Sequence, residues 1–392
     1  MKILQVTNFF KPSWESGGPA RAAYEISKKL IERGHEVTVY TTDGFKFRLN
    51  VKKNKSVDVD GIKVYYFRNL SNYLSRNMTL PIPYYLPIVA KKGMQNFDVV
   101  HIHEPRTMLA VVVHHYAKKY RIPYVLQPRG SVPRMSKSKQ KKLFDILFGQ
   151  AIIKDATEII ASSKIESDQY RDVFPDLKNE KIVHMPNGID LETYCNLPQK
   201  GEFKKKCSIN NTEKIILFLS RIHERKGAET LIVAFNKLKG EFENVKLVIA
   251  GPDDGYLDNL KLMRSKLNMG SDVIFPGPLY EKDKREAYVD ADVFVLPSKD
   301  RYESFGNVVL EAMACGTSVI ATNNCGVSEW IGDDVGYVVE YDKDQLEDAI
   351  LKILSNDKLR RKFGESGRRL VREKFGWDKI VKSIEELYGC CL

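Results

Sequence analysis

Apolar and polar positions along this chain switch between two rhythms. Short continuous apolar runs, the mark of strands covered on both faces, alternate with stretches of helical period. Lys2–Asn8 reads as the first strand, and Phe9–Gly18 as a loop ending in Gly17-Gly18. Pro19 then starts a helix through Ala22, Ala23, Ile26 and Leu30, which stops at Arg33-Gly34. Proline at the first helical position and glycine just past the end fit the asymmetry of helix termini. Val37–Thr41 is the next strand, so strand, glycine loop, helix and strand make a mononucleotide-binding half. Asp98–His103, Tyr124–Leu126 and Glu158–Ala161 are predicted strands that each end at polar residues.

Pro186–Asp190 reads as a turn, and the polar, irregular stretch to about Thr212 as a linker. The rhythm then restarts. Strands are predicted at Ile215–Leu219, Lys246–Ala250, Val273–Phe275, Val293–Leu296 and Ser318–Ala321. Helices are predicted at Gly227–Lys239, Leu257–Leu267 and Lys282–Asp290, and later at Asp344–Ser355, Asp357–Phe375 and Asp378–Leu387. The fold class is therefore α/β with two Rossmann-like domains built on parallel sheets. The chain of 392 residues has the length for two cores.

One stretch concentrates candidate chemistry. After the buried strand Val293–Leu296, a helical pattern runs from about Ser304 to Cys315 and stops at Gly316. Glu303 lies in the strand-to-helix loop, and Glu311 two turns into the helix. The N–H groups of Phe305, Gly306, Asn307 and Val308 then lack helical partners and form a ready site for a phosphate. Ionised glutamates accept hydrogen bonds from sugar hydroxyls. Phosphate and polyol at one helix start suggest a nucleotide sugar. The same two glutamates also fit a solvated surface, and what favours a site is their place at the end of a buried strand.

Composition narrows the field. Hydrophobic content of 43% and charged content of 29% are ordinary for a globular protein. No apolar run reaches the roughly 18–20 residues of a spanning helix. Met1–Val6 reads as a strand and lacks the apolar core and cleavage site of a signal peptide. These features point to the cytosol, free or peripheral on the inner face of the cell membrane. Six cysteines include no C-x-x-C pair, so neither a zinc site nor a disulfide framework is suggested. The net charge of +11 comes without a nucleic-acid-binding signature, so no nucleic acid partner is expected. Part of the charge is local. Arg129, Arg134, Lys137, Lys139, Lys141 and Lys142 lead directly into Leu143–Phe148. A basic segment running into an apolar helix, here residues 129–148, can dock on an anionic membrane surface. The same pattern fits a helix packed on its own core with solvated lysines at one end.

The chain resembles the retaining glycosyltransferases of the glycogen-synthase-like family 4 group, which have the two-Rossmann GT-B fold. The strongest part is Glu303-Ser-Phe-Gly-Asn-Val-Val-Leu-Glu311, similar to the family's E-x7-E motif. Gly17-Gly18-Pro19, Arg33–Val37, His101–Pro105, Pro186–Asp190 and Ser220-Arg221 with Lys226-Gly227 follow in the family's order. The resemblance implies two facing domains with a cleft between them that holds the site. It implies an acceptor-binding domain over residues 1–190, with a last helix at 376–392 crossing back to it, and a nucleotide-sugar-binding domain over 191–375. It implies transfer of a sugar from a nucleoside diphosphate sugar to an acceptor hydroxyl with retained configuration. The expected acceptor is a saccharide or lipid-linked glycan, and no metal or other cofactor is required. By the same resemblance Arg221 and Lys226 hold the diphosphate, Glu311 the ribose hydroxyls, and Glu303 faces the transferred sugar. Gly17 and Gly18 let backbone approach the phosphate or acceptor, Ser304–Val308 bind the donor, and Leu279 offers backbone to the base. His103 lies in the family's H-x-H-E-P-like segment and is a candidate for a direct role.

The chain departs from the family once. Many members carry a His shortly after the strand read here as Tyr124–Leu126, and Arg129 falls in its place. A guanidinium stays protonated and cannot act as a base, but it can clamp a phosphate oxygen. Asp290-Ala291-Asp292 has the spacing of a metal-binding pair, yet it reads as a helix end and a strand start. Alternative readings are another enzyme on the same architecture, such as an epimerase or phosphorylase, or a binding protein without turnover.

Overall fold

A computed structural model describes the chain except residues 15–16, 45–47, 52–54, 72, 74, 76–80 and 135–137. Lys137 of the basic run lies outside the described residues. The chain divides into two compact units. One comprises Met1–Gly188 with Trp377–Leu392, the other Ile189–Gly376.

The first unit is built on an eight-stranded sheet. Its strands are β1 (Lys2–Val6), β2 (Glu36–Thr42), β3 (Ser56–Val59), β4 (Ile62–Phe67), β5 (Val99–His103), β6 (Tyr124–Gln127), β7 (Glu158–Ala161) and β8 (Ile182–His184), in the order β3-β4-β2-β1-β5-β6-β7-β8. Pairing is parallel except between β3 and β4. The β3–β4 hairpin was not anticipated. It turns through Asp60 (φ 53°) and Gly61 (φ 80°), a Asp-Gly pair suited to a two-residue hairpin loop.

Alternate positions of β1, β5 and β6 face opposite sides of the sheet. Ile3, Val99 and Val125 share one side with the helices Gly18–Glu32 and Trp377–Cys391. The latter helix buries Ile380, Val381, Ile384 and Tyr388 there, each aliphatic side chain contributing about 1.5–3 kcal/mol. Lys29–Asp378 and His35–Glu385 contacts of 3.0 and 2.8 Å fix its register on the sheet and the first helix.

The second unit carries the six-stranded sheet β11-β10-β9-β12-β13-β14. Its strands are β9 (Lys214–Leu219), β10 (Val245–Ala250), β11 (Val273–Gly277), β12 (Val293–Leu296), β13 (Ser318–Thr322) and β14 (Gly336–Val339). Every pair is parallel, so all the strands end at one edge of the sheet. Strand order reverses direction between β9 and β12, the position where open α/β sheets bind ligands. The segment expected to be an irregular linker contains a short helix, Glu202–Lys206. Asp290 caps it by accepting the N–H groups of Gly201 and Lys204 at 2.5 and 2.9 Å. Asp292 accepts the N–H of Ile215 at 2.9 Å and ion-pairs with Arg360 at 3.4 Å. Both carboxylates of the D-x-D spacing thus anchor backbone at the start of the second unit.

Candidate active site

The second unit assembles the residues of the E-x7-E segment at the switch point of its sheet. Ser220-Arg221 leaves β9, and a single 3-10 turn, Glu224–Lys226, returns the chain to the helix Ala228–Leu238. Gly227 joins them with φ 73°, and a Cβ there would fall 1.8 Å from the Pro297 carbonyl oxygen. Only glycine permits that approach of the Lys226 turn to the end of β12. The Lys299 N–H donates to the Arg225 carbonyl at 3.0 Å and ties the two loops together.

Lys226 is buried and forms an ion pair with Glu303, so the strand-end cation and the loop carboxylate meet directly. Arg221 pairs with Asp254 at 2.6 Å and donates to the Tyr302 hydroxyl at 3.4 Å. Tyr302 is half-exposed, stacked on His223 at 6.0 Å with the Arg225 guanidinium 5.3 Å from its ring centre. The loop carrying Glu303 is fixed from below. Gly326 N–H donates to the Glu303 carbonyl at 3.0 Å, and Val327 N–H to the Phe305 carbonyl at 2.6 Å. The Phe305 side chain is buried in the core.

The helix begins at Asn307 rather than near Ser304. Gly306 takes φ 103°, outside the helical region, and a Cβ on it would meet Cys325 Sγ at 2.7 Å. The left-handed turn delays the helix by three residues, so Ser304 and Phe305 belong to the loop. Gly306 is the N-cap, and no side chain caps the helix. Asn307 is exposed and Val308 half-buried beside it. The Val309 N–H is taken by the Gly306 carbonyl at 2.9 Å. Glu311 lies just over one turn into the helix, not two. Its Oε2 accepts from the Tyr288 hydroxyl at 2.9 Å and pairs with Lys284 at 2.6 Å. Burial, and then the Glu311 carboxylate, raise the Tyr288 phenol well above its ordinary value, which keeps it a donor. Leu279 follows Gly277 in the loop after β11 and rests partly buried on the core.

The first unit holds the remaining candidates at the ends of β1, β5 and β6, around its own switch point between β1 and β5. Gly17 (φ 94°) is the N-cap of Gly18–Glu32, both glycines are exposed, and no acidic residue lies in the first turn. His103 ends β5, 1% exposed. Its Nδ1 accepts from Arg129 Nε at 3.2 Å, and its Nε2 lies 2.8 Å from Gln5 Oε1. Burial, then His101 and Arg129, hold its pKa well below the ordinary value. The imidazole is buried and both its nitrogens are engaged.

Arg129 (φ 51°) stands just beyond β6, and also donates to Gln127 Oε1 at 2.7 Å and Asn187 Oδ1 at 3.1 Å. Burial lowers its guanidinium to about 10, offset by Glu166 and Glu104, so it stays charged at neutral pH. Glu166 is itself spent on Gly130 N–H at 2.5 Å, Ser162 N–H at 2.7 Å and the Ser162 hydroxyl at 2.5 Å. Sequence reading missed Gln5, Gln127, Tyr288 and Tyr388. Polar residues at Gln5 and Gln127 inside buried strands were the available signal for the first two. Among the described residues, no group of three or more His, Cys, Asp or Glu side chains is placed to hold a metal ion.

Two family models match in succession. Glycosyltransferase Family 4 covers residues 16–193, and Glycosyl transferases group 1 covers residues 199–370. The chain is a glycosyltransferase of the group 1, family 4 type with the GT-B fold. It is similar to N-acetyl-alpha-D-glucosaminyl L-malate synthase of Bacillus anthracis, 29% identical over 95% of this chain and 93% of that protein. It is similar to alpha-monoglucosyldiacylglycerol synthase of Streptococcus pneumoniae, 27% identical over 99% of this chain and 85% of that protein. Among solved structures, Anabaena Alr3699/HepE in complex with UDP-glucose matches with a TM-score of 0.75 at 19% identity, covering all of both chains.

Proposed function

We propose that this glycosyltransferase moves a sugar, with retention of anomeric configuration, from a nucleoside diphosphate sugar to an acceptor hydroxyl. The observation that carries the reading is the Lys226–Glu303 pair beside the start of the helix Asn307–Ala314. Fixed cations next to the positive end of a helix suit a departing diphosphate, whose negative charge grows as the glycosidic bond breaks. Arg221 and Lys226 hold that diphosphate, and Lys226 exchanges Glu303 for it when donor binds. Glu303, released, faces the sugar and accepts its hydroxyls. Glu311 takes the ribose hydroxyls through Oε1, because Tyr288 and Lys284 occupy Oε2. Leu279 offers backbone to the base. In the reaction the bond between the anomeric carbon and the phosphate oxygen breaks, and one to the acceptor oxygen forms on the same face. The acceptor proton passes to the departing phosphate oxygen. The cations do the work of charge neutralisation, so no metal is required.

The first unit binds the acceptor, with Gly17 and Gly18 allowing close backbone approach and Arg129 clamping an anionic oxygen. We place the acceptor among lipid-linked or phosphorylated saccharides, on the inner face of the cell membrane. The support is one continuous helical stretch, residues 138–155, which contains a π-turn at Asp145–Gly149. Leu143, Ile146 and Leu147 are 59–60% exposed on it, next to exposed Lys139 and Lys142. Asp145, buried between Arg106 (2.8 Å) and Arg134 (2.9 Å), anchors the opposite side. Exposed aliphatic side chains with flanking lysines suit an anionic lipid surface. The relative from Streptococcus pneumoniae, by its name, makes a glycolipid. No described helix is long and apolar enough to cross a membrane.

The test is transfer itself. The chain is incubated with UDP-, GDP- and ADP-sugars and lipid or saccharide acceptors, and the product's anomeric configuration is read by NMR. Retained configuration, with turnover abolished in Glu303→Ala, is the expected result. Inverted product, or normal turnover in Glu303→Ala, refutes the reading.

A further inference from the structure

On the buried side of the first sheet, a row of polar side chains replaces the apolar positions near the strand ends. Gln5 of β1 is in register with His101 of β5, and His103 of β5 with Gln127 of β6. Gln5, His101, His103 and Tyr388 are all buried, and the His101 and His103 rings stack at 4.2 Å. Tyr388 comes from the helix Trp377–Cys391, 383 residues away from Gln5 in sequence.

The hydrogen bonds among these groups allow only one direction. Arginine donates and cannot accept, so Arg129 Nε–H fixes His103 Nδ1 as an acceptor. Neutral His103 must then carry its hydrogen on Nε2 and donate to Gln5 Oε1 at 2.8 Å. The Gln5 amide is thereby oriented, and its Nε2–H donates to the Tyr388 oxygen at 3.0 Å. The Tyr388 hydroxyl also lies 2.7 Å from His101 Nδ1. Three bonds in series carry one polarity from the site arginine to Tyr388 of the C-terminal helix. Reversing the Gln5 amide or the His103 tautomer would set two donors against each other inside the core, where an unmade bond is costly.

We propose that Tyr388 and Gln5, acting through His103, are positioning residues for Arg129, and that the C-terminal helix is coupled to turnover by this chain of hydrogen bonds. The proposal rests on the transferase reading for its effect on rate, but not for its effect on the histidine. Arg129 gains a fixed direction because its Nε is held by His103 while its two terminal nitrogens meet Asn187 and Gln127. With Nε released, the fork can turn about its last bonds and present its charge elsewhere.

The test has two arms. In protein labelled with 15N-histidine, the wild type shows His103 as the neutral Nε2–H tautomer at pH 7. In Tyr388→Phe the His103 Nε2–H signal shifts as its Gln5 partner loosens, although Tyr388 hydrogen-bonds Gln5 and His101 and not His103. Unchanged His103 signals in Tyr388→Phe, or a wild-type His103 carrying its hydrogen on Nδ1, overturn the proposal. In the kinetic arm, Tyr388→Phe lowers kcat/KM about tenfold in the wild-type background and less than about twofold in an Arg129→Ala background. Equal losses in both backgrounds overturn it, since Tyr388 would then act independently of Arg129. Should the chain transfer no sugar from any donor tried, the transferase reading fails while the histidine arm still decides the chain of bonds.

Discussion

Gly227 makes a sharp test of how the Lys226 turn is held. Two costs separate there. An alanine at φ 73° sits in the left-handed region, which costs roughly 1–2 kcal/mol for a residue with a Cβ. Its Cβ would also fall 1.8 Å from the Pro297 carbonyl oxygen and 2.9 Å from Tyr341 Cε2, so backbone must move. Forcing atoms into a packed region adds about 1–3 kcal/mol. Gly255 supplies the control in the same unit: its φ is 86°, and nothing lies within 4 Å of a Cβ there. Gly255→Ala carries the conformational cost alone. For a unit of this size 1 kcal/mol moves the melt by about 2–4 °C, so Gly227→Ala should melt about 4–20 °C below wild type, and Gly255→Ala about 2–8 °C below. Calorimetry on the three proteins under one set of conditions reads both. Because Pro297 ends the strand that leads to Glu303, nucleotide affinity should fall in Gly227→Ala and hold in Gly255→Ala. Equal melting of the two variants would refute the argument that the glycine exists for the contact with Pro297.

Three further outcomes are expected. Tyr288→Phe removes one of the two groups on Glu311 Oε2, and nucleotide affinity measured by calorimetry should fall about three- to tenfold, the loss of one oriented hydrogen bond. Glu104 is pushed up to about 7 by burial, against the opposing pull of Arg129. Its folded value lies above its unfolded one, so its contribution to stability is full in acid and is lost as pH rises toward 7. Glu104→Gln should therefore raise the melting temperature at pH 8 by an amount worth at most about 3 kcal/mol, and change it little at pH 4. Replacing Leu143, Ile146 and Leu147 by serine should abolish co-sedimentation with vesicles rich in anionic lipid, as should Lys139/Lys141/Lys142→Glu. Equal binding by these variants and wild type would remove the membrane proposal.

Local signals carried the second unit well. Continuous apolar runs placed β9, β10, β12 and β13 within a residue or so, because strands covered on both faces leave little ambiguity. The start of the helix at Asn307 was misplaced because helical spacing continues backward through Ser304. Only the positive φ of Gly306 ends it there, where Cys325 leaves no room for a Cβ. The short strands β8 and β14 were missed, as three or four residues give no period. The hairpin β3–β4 had a readable signal at Asp60-Gly61 between alternating valines and isoleucine. The partners of Arg129 were hidden for a different reason. Gln5, His103 and Tyr388 meet through sheet register and a helix drawn from the far end of the chain, and no local pattern encodes that meeting.

The central claim is that the second unit binds a nucleoside diphosphate through Lys226, Glu311 and the start of the helix Asn307–Ala314. The most direct measurement is thermal melting with UDP, GDP, ADP and their sugars, with and without EDTA, on wild type, Lys226→Ala and Glu311→Ala. A ligand at about 100 times its dissociation constant adds roughly 2.7 kcal/mol. The account predicts that one nucleotide raises the wild-type melt, that EDTA leaves the rise unchanged, and that both variants lose it. No rise with any nucleotide, or a rise that survives in both variants, would contradict it.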